Sequence, residues 1–185
     1  MKYALKDAVI LDGTKDMEPL RGHSVLVEGE TIVGLAPAGS EPMGFEPVDL
    51  TGKYLMPGLF NMHVHLAGSG KPQKKQRDNE KLVKTIMGSG LTRAVAYSMV
   101  RGFARDELMS GVTTIRTMGG LGNFDSRLRD EIAAGRQDGP RILAANQGIS
   151  VPCGHMAGSV AIAARSIDEA LAHLEQSERE GVDLV

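Results

Sequence analysis

The sequence is poor in cysteine and in aromatic residues, and these shortages limit what the protein can be. Cys153 is the single cysteine, so a disulfide bond within the chain is excluded and a reducing compartment is indicated. Aromatic residues make up 4% of the 185 residues and tryptophan is absent, whereas there are 23 glycines. So many glycines indicate many turns, as in a chain of short alternating strands and helices. The hydrophobic share of 42% is enough for one sizeable core.

The chain also lacks a strong excess of charge and a long apolar run. Its formal net charge of −2 offers no electrostatic reason to expect nucleic acid or an anionic membrane as a partner. Asp7 and Asp12 interrupt the N-terminal stretch, so it does not resemble a signal peptide, and no later run reaches the length of a membrane span. We therefore expect a cytoplasmic globular protein that binds a small-molecule substrate, and we expect it to form a homo-oligomer.

Residues 1–53 have the pattern of β-strands. The stretch SVLVEGETIVGLAP contains two short β-branched runs around Glu28, Gly29 and Glu30, which predicts a hairpin. The preceding YALKDAVILDG is a candidate partner strand, and the Pro- and Gly-rich residues 36–47 interrupt the pattern. This segment is thus predicted to form a small sheet that is distinct from the rest of the chain.

From residue 54 to residue 185 the pattern changes to an alternation of strands and helices. Strands are predicted at 58–66, 112–118, 141–148 and from 182 onward. Such an alternation implies parallel strands joined by crossover helices. A doubly wound sheet and the first half of a (β/α)8 barrel both fit these strands, and a complete barrel needs about 250 residues.

One long loop and three helices are predicted between these strands. Residues 67–82 are polar and charged and are predicted to form a loop over the end of the first strand. The helix over 92–111 is predicted to begin with Thr92 as its cap, to end at Gly111 and to have one apolar face, formed by Val95, Met99, Val100, Phe103 and Leu108. The two later helices are predicted over 125–135 and 166–181.

Two histidines, His63 and His65, are separated by a single residue near the end of the first of these strands, LFNMHVHL. Successive side chains of a strand point to opposite faces, so Asn61, His63 and His65 are predicted to share one face. Two imidazoles one strand repeat apart can bind a single cation, and neutral imidazole suits Zn, Fe, Ni or Mn. The alternative is a pair of core histidines held by hydrogen bonds. Their place directly before a Gly-containing loop favours metal ligation.

The stretch DLTGKYLMPGLFNMHVHL, residues 49–66, resembles the signature of the amidohydrolase superfamily, with an aliphatic-Pro-Gly-Leu run followed by the paired histidines. Where the family usually has an aspartate two residues before the first histidine, this chain has Asn61. The later segments GVTTIRTMGG, LRDEIAAGRQDGPRILAANQGIS and GHMAG are similar to one branch, the imidazolonepropionase-like and prolidase-like metal-dependent hydrolases.

The resemblance implies an α/β fold: the first half of a (β/α)8 TIM-like barrel, residues 54–185, preceded by part of a small β-sandwich domain, residues 1–53. It implies one or two divalent metal ions, with zinc expected, of which His63 and His65 bind the more buried one. A bridging carboxylated lysine, two further histidines and a general-base aspartate are implied beyond Val185. We therefore expect the sequence to be the N-terminal part of a longer chain.

The activity implied by this resemblance is hydrolysis of a C–N bond. A bound metal lowers the pKa of a water molecule from about 15.7 towards 7, so that hydroxide can attack a carbonyl that the metal also polarises. The expected substrate is a dipeptide or an N-acyl amino acid, as in the prolidase-like branch. The alternatives are hydrolysis of a cyclic amide, as in imidazolonepropionase, deamination, or a metal-free barrel that serves as a binding subunit.

Three further residues near the predicted mouth of the barrel are candidates for a role. His155 follows the third strand, where barrel active sites gather, and is predicted to orient the substrate or polarise its carbonyl. Cys153 is expected to be a buried small hydrophobic residue rather than a reactive thiol. Arg116 is expected to form a structural ion pair rather than to bind a substrate carboxylate.

Overall fold

The computed structural model describes residues 1–71 and 78–185. These residues divide into two compact units, Met1–Pro57 and Gly58–Val185. Part of the polar segment that was predicted to be a loop, residues 72–77, lies outside the described residues. Among the described helices, none combines the length and the apolar character that crossing a membrane requires.

The first unit is built from strands alone in the part of the chain that the structure describes. Its strands are β1 (Lys2–Lys6), β2 (Val9–Ile10), β3 (His23–Glu28), β4 (Thr31–Pro37), β5 (Glu46–Asp49) and β6 (Tyr54–Leu55). A four-stranded sheet has the order β4-β3-β1-β5, and β2 pairs separately with β6. The predicted hairpin is confirmed: β3 and β4 are antiparallel and Gly29 turns the chain at a φ of 61°. Its small core consists of Ala4, Leu26 and Ala36, with Phe45 packed against them.

The second unit alternates strands and helices, as expected for parallel strands. Its elements are β7 (Leu59–Val64), α1 (Asn79–Met87), α2 (Gly90–Met109), β8 (Val112–Thr117), α3 (Phe124–Ala133), β9 (Arg141–Leu143), β10 (Gly148–Ser150), β11 (Ala161–Ala163) and α4 (Ile167–Arg179). The strands β7, β8 and β9 form one parallel sheet in that order, and β10 pairs in parallel with β11. Parallel neighbours in sequence order require crossovers, which α2 and α3 supply.

The helix α2 begins and packs differently from the prediction. Its N-cap is Ser89, whose Oγ accepts a hydrogen bond from the Thr92 N–H at 3.2 Å, so Thr92 lies inside the helix. The predicted face was also wrong in part, because Val95 and Met99 are more than half exposed. The buried side chains are those of Ala96, Tyr97, Val100 and Ala104. The predicted end is confirmed, since Gly111 follows the last residues of the helix at a φ of 95°.

The main core lies between the parallel sheet and its helices. Ile115 of β8, Leu128 of α3 and Ala104 of α2 are fully buried, and Tyr97 packs edge to face on Phe124 with ring centroids 5.1 Å apart. Val64, the last residue of β7, and Leu66, two residues later, belong to the same core. Burial of Val64 and Leu66 holds the end of β7 in place, and the two histidines sit on this end of the strand.

Three predictions for the second unit were wrong. A helix, α1, occupies part of the predicted loop, with the Asp78 carboxylate accepting from the Lys81 N–H at 2.9 Å as its cap. The third strand ends at Leu143 rather than at residue 148. Residues 182–185 are not assigned as a strand, although the Asp183 N–H donates to the Ala144 carbonyl at 2.8 Å, directly after β9.

Candidate metal centre

The end of β7 brings together His63, on the strand, and His65, the residue directly after it. Their Nε2 atoms are 3.2 Å apart, and their rings meet edge to face at an interplanar angle of 73°. Val64, between them, points the other way into the core, as the alternation along a strand requires. The predicted convergence of the two imidazoles is therefore observed in the structure.

The orientation of His65 is set by a main-chain carbonyl that follows the neighbouring strand. Nδ1 of His65 lies 3.1 Å from the carbonyl oxygen of Gly119, two residues after β8. A carbonyl oxygen can only accept, so Nδ1 carries the proton of neutral His65 and Nε2 keeps its lone pair. This arrangement is typical of a metal-binding histidine, whose second nitrogen donates to a carbonyl or carboxylate.

The spacing of the two nitrogens fits ligation of one metal ion. Two nitrogens bound at about 2.0–2.1 Å to a tetrahedral zinc ion lie about 3.3–3.4 Å apart, close to the 3.2 Å between these Nε2 atoms. Within residues 1–71 and 78–185, no group of three or more His, Cys, Asp or Glu side chains is placed to hold a metal. The two histidines thus fit two ligand positions of a site and do not complete it.

Two polar side chains support the backbone of β7 around the histidines. The Asn61 Oδ1 accepts from the main-chain N–H of His63 at 3.3 Å, and the Arg116 Nε donates to the Met62 carbonyl at 2.8 Å. The expected ion pair of Arg116 is not found among the described residues, and its bond to Met62 instead ties β8 to β7 just before the two histidines.

A buried carboxylate near His65 was missed from the sequence. Asp125, in the first turn of α3, is 1% exposed. Burial raises the pKa of this carboxyl to about 6, while the Thr117 hydroxyl and the nearby His65 act to lower the pKa. An acidic residue shortly after a pair of glycines was the only signal in the sequence, and such a residue is usually exposed.

A cavity of about 600 Å³ adjoins the paired histidines. Apolar side chains dominate its wall, among them Leu82, Val83 and Ile86 of α1, Phe103 of α2 and Leu121. His63 and His65 supply polar atoms to the lining, together with Asp106 and Glu107 near the end of α2. A small substrate with an apolar part could be enclosed here within reach of the histidines.

The loop after β10 contains two residues discussed from the sequence, His155 and Cys153. His155 is exposed and is not part of the cavity wall, whereas its neighbour Met156 lines the cavity. The role predicted for His155 therefore stays a prediction. Cys153 is exposed, so the expectation that it is buried was wrong.

The family match covers most of the chain and includes the whole of this site. Residues 54–184 match the amidohydrolase family. The chain belongs to this family. The resemblance that the paired histidines and the preceding Pro-Gly run suggested is thereby confirmed, and the match covers nearly all of the second unit of this amidohydrolase-family chain.

The individual relatives of this amidohydrolase-family chain have names that denote different activities. An imidazolonepropionase from Paenarthrobacter aurescens (strain TC1) is 26% identical over 158 residues, which are 84% of this chain and 34% of the relative. A 5-methylthioadenosine/S-adenosylhomocysteine deaminase from Pelotomaculum thermopropionicum (strain DSM 13744 / JCM 10971 / SI) is 40% identical over 50 residues, 25% of this chain and 12% of the relative.

A solved structure covers almost the whole chain. A protein from Bifidobacterium longum assigned as a prolidase has 33% sequence identity and a TM-score of 0.72, and the match covers 98% of this chain and 39% of that one. The chain therefore spans about a third of the length of the imidazolonepropionase and about two fifths of the length of this structure.

Proposed function

We propose that this chain is part of a metal-dependent amidohydrolase that hydrolyses the C–N bond of a dipeptide or an N-acyl amino acid. One observation carries the proposal: the Nε2 atoms of His63 and His65 face each other at 3.2 Å, with His65 held in the ligand tautomer by Gly119. The similarity to a protein assigned as a prolidase supports the substrate class, because it extends over 98% of this chain.

His63 and His65 would hold one divalent metal, with zinc as the proposed ion. When bound, such a metal acts as a Lewis acid on the carbonyl and makes water acidic enough to react at neutral pH. The protein's part is to hold the two Nε2 atoms at the spacing of two metal ligands and to enclose the substrate. The apolar cavity wall beside the histidines suits the side chain of a dipeptide or an apolar acyl group.

The proposal extends to the fold and the assembly. The parallel sheet of β7, β8 and β9 with α2 and α3 is proposed to be the first part of a (β/α)8 barrel, and the N-terminal sheet to be part of a β-sandwich. The remaining metal ligands, including a carboxylated lysine, are proposed on the strength of the family resemblance. A homo-oligomer in the cytoplasm is proposed for the assembled enzyme.

A second candidate is hydrolysis of a cyclic amide. The match to an imidazolonepropionase over 84% of this chain favours it over deamination, for which the matching relative covers 25% of the chain. A metal-free binding subunit is the third candidate, and the paired histidines argue against it, because their Nε2 spacing matches that of two ligands of one metal ion.

The metal is tested first, because all the enzyme candidates depend on it. Elemental analysis of the purified full protein should give at least one equivalent of a transition metal. His63→Ala should lose that metal and the activity, because one imidazole cannot replace two ligands. His23→Ala is the matched control: His23 lies on β3 in the first unit, outside the cavity wall, and its removal should change neither. An active protein that contains no metal contradicts the proposal.

The substrate class is tested on the same metal-loaded protein. Xaa-Pro and other dipeptides and N-acyl amino acids form one set, imidazolonepropionate a second, and adenosine derivatives a third. Turnover of the first set alone, lost in His63→Ala, is the expected result. Turnover confined to the second set would replace the dipeptidase assignment with the cyclic-amide one and leave the metal assignment intact.

A further inference from the structure

Asp125 is a buried acid, and one of its two carboxylate oxygens lacks a hydrogen bond. Its side chain is 1% exposed, and its Oδ2 has no hydrogen-bond partner among the residues that the structure describes. The carboxyl group lies against the α-carbon of Gly120, where a β-carbon would come within 2.6 Å of Oδ2. A side chain at position 120 would therefore collide with the carboxylate.

Such an arrangement is unfavourable for folding by itself. A buried polar group without its hydrogen bond costs about 1–3 kcal/mol, and a charged one costs more. The first turn of a helix favours an acid, but only by about 0.3–1 kcal/mol at exposed positions. Asparagine has the same shape without the charge, so packing alone does not require an aspartate here.

The position of Asp125 relative to the histidines supplies a reason for the charge. Gly120 directly follows Gly119, whose carbonyl oxygen accepts from Nδ1 of His65. A positive charge at His65 favours the ionised form of the Asp125 carboxylate. A cation bound at Nε2 of His65 would add positive charge to this ring, and the buried anion would stabilise that charge.

We propose that Asp125 is a positioning residue for the metal site: its buried carboxylate stabilises the metal-bound state of His65 electrostatically and fixes the Gly119–Gly120 turn. This inference rests on the proposed function, since it needs a metal at the histidine pair. Polar groups behind a metal ligand contribute to affinity without touching the metal, and their removal typically weakens binding about 10–100-fold.

The test compares Asp125→Asn with Asp130→Asn in the full protein. Asp130 lies on the same helix, has an exposed side chain and pairs with Arg129, so its replacement controls for the loss of one acidic charge on α3. Each protein is stripped of metal with a chelator. The dissociation constant for zinc is then measured against a competing chromophoric chelator, and thermal unfolding of the metal-free form is followed in parallel.

Asp125→Asn should bind zinc about 10–100-fold more weakly while its metal-free form unfolds at the same temperature as the wild type or higher, because an unmatched buried charge has been removed. Asp130→Asn should bind zinc like the wild type. An Asp125→Asn protein with wild-type zinc affinity overturns the inference, whatever its stability. A wild-type protein that binds no zinc contradicts the proposed function itself, which is a different result.

Gly120→Ala keeps the test decisive if Asp125→Asn does not fold. It retains the carboxylate but forces it to move, because the new β-carbon would lie 2.6 Å from Oδ2 in the present arrangement. Zinc binding should weaken in this variant although no charge has changed. Wild-type affinity in Gly120→Ala would also overturn the inference.

Discussion

Gly119 shows how one residue without a side chain can control the chemistry of another. Its φ of 136° is a conformation that only glycine adopts without strain, and this conformation directs its carbonyl oxygen to Nδ1 of His65. A β-carbon here would also lie 3.1 Å from the Val160 carbonyl oxygen and 3.3 Å from Nδ1 of His65. The position thus has both a backbone and a steric reason to be glycine.

Gly119→Ala should therefore destabilise the protein by about 1–3 kcal/mol and weaken metal binding as well. The reason for the second effect is that a displaced carbonyl no longer holds the proton of His65 on Nδ1. Urea unfolding gives the stability, and titration with zinc gives the affinity.

The control for this substitution is Gly135→Ala. Gly135 also has a positive φ, 67°, but no atom would lie within 4 Å of its β-carbon. It should lose stability through backbone strain while its zinc affinity stays that of the wild type. Equal zinc affinity in both variants would show that the Gly119 carbonyl does not set the ligand state of His65.

At the scale of secondary-structure elements, Asp183 links residues 182–185 to Ala144, the residue after β9. Its Oδ2 accepts from the Ala144 N–H at 2.8 Å and from Nη1 of Arg129 at 2.9 Å. Burial raises the pKa of this carboxyl, but the Ala144 N–H and the Arg129 guanidinium together lower it by more, so the pKa lies below its ordinary value of 3.8. The ionised form is therefore the one that stabilises the fold.

Asp183→Ala should lower the free energy of unfolding by about 1–3 kcal/mol at pH 7. Because the folded-state pKa is depressed, this contribution is fully present above the unfolded-state pKa near 4. It is lost as the pH falls through the folded-state value. The difference between the variant and the wild type should thus shrink in acid. The exposed Glu178→Ala on α4 is the control, and a difference independent of pH down to strongly acidic solution would contradict this account.

The helix α2 shows why its existence could be predicted from the sequence and its packing could not. Apolar residues lie on more than one side of it: Leu91, Val95 and Met99 are exposed, while Ala96, Val100 and Ala104 are buried. Both sets have helical spacing, so periodicity alone does not select between them. Which set is buried depends on the side of the helix that the sheet and α3 cover, and this is a property of the packed fold.

The helix α1 was missed for a different reason. Its first residues, 79–81, continue a polar and charged run, and its apolar residues begin only at Leu82, where the predicted loop ended. What stabilises it locally is the Asp78 cap and the ion pair of Glu80 with Lys84 at 2.7 Å. Such contacts stabilise a helix by about 0.3–1 kcal/mol each. This is too little to predict a helix from the sequence.

At the scale of the whole molecule, the part of the site that could be predicted is the part carried by one strand. His63 and His65 are two residues apart, so local geometry alone places them on one face. Gly119 and Asp125 reach His65 only through the pairing of β7 with β8 and the packing of α3. Residues that lie this far along the chain come together by tertiary structure, which no local pattern encodes.

Because the chain forms two compact units, a substitution in the core of each unit tests which unit the metal site depends on. Leu128 is fully buried in the core that also contains Val64 and Leu66, the neighbours of the histidines along the chain. Leu128→Ala should lower stability by about 2–5 kcal/mol and weaken zinc binding, because a cavity in this core loosens the end of β7. Thermal unfolding and zinc titration measure the two effects.

Leu26→Ala is the counterpart in the first unit, where Leu26 packs with Ala4, Ala36 and Phe45. It should also destabilise its unit, because the loss of a buried leucine from so small a core removes much of its apolar contact. Zinc affinity should nevertheless remain that of the wild type, since Leu26 lies outside the core that holds β7. A Leu26→Ala protein that folds but binds zinc as weakly as Leu128→Ala would show that the metal site depends on both cores, and that the second unit does not hold the histidines in place by itself.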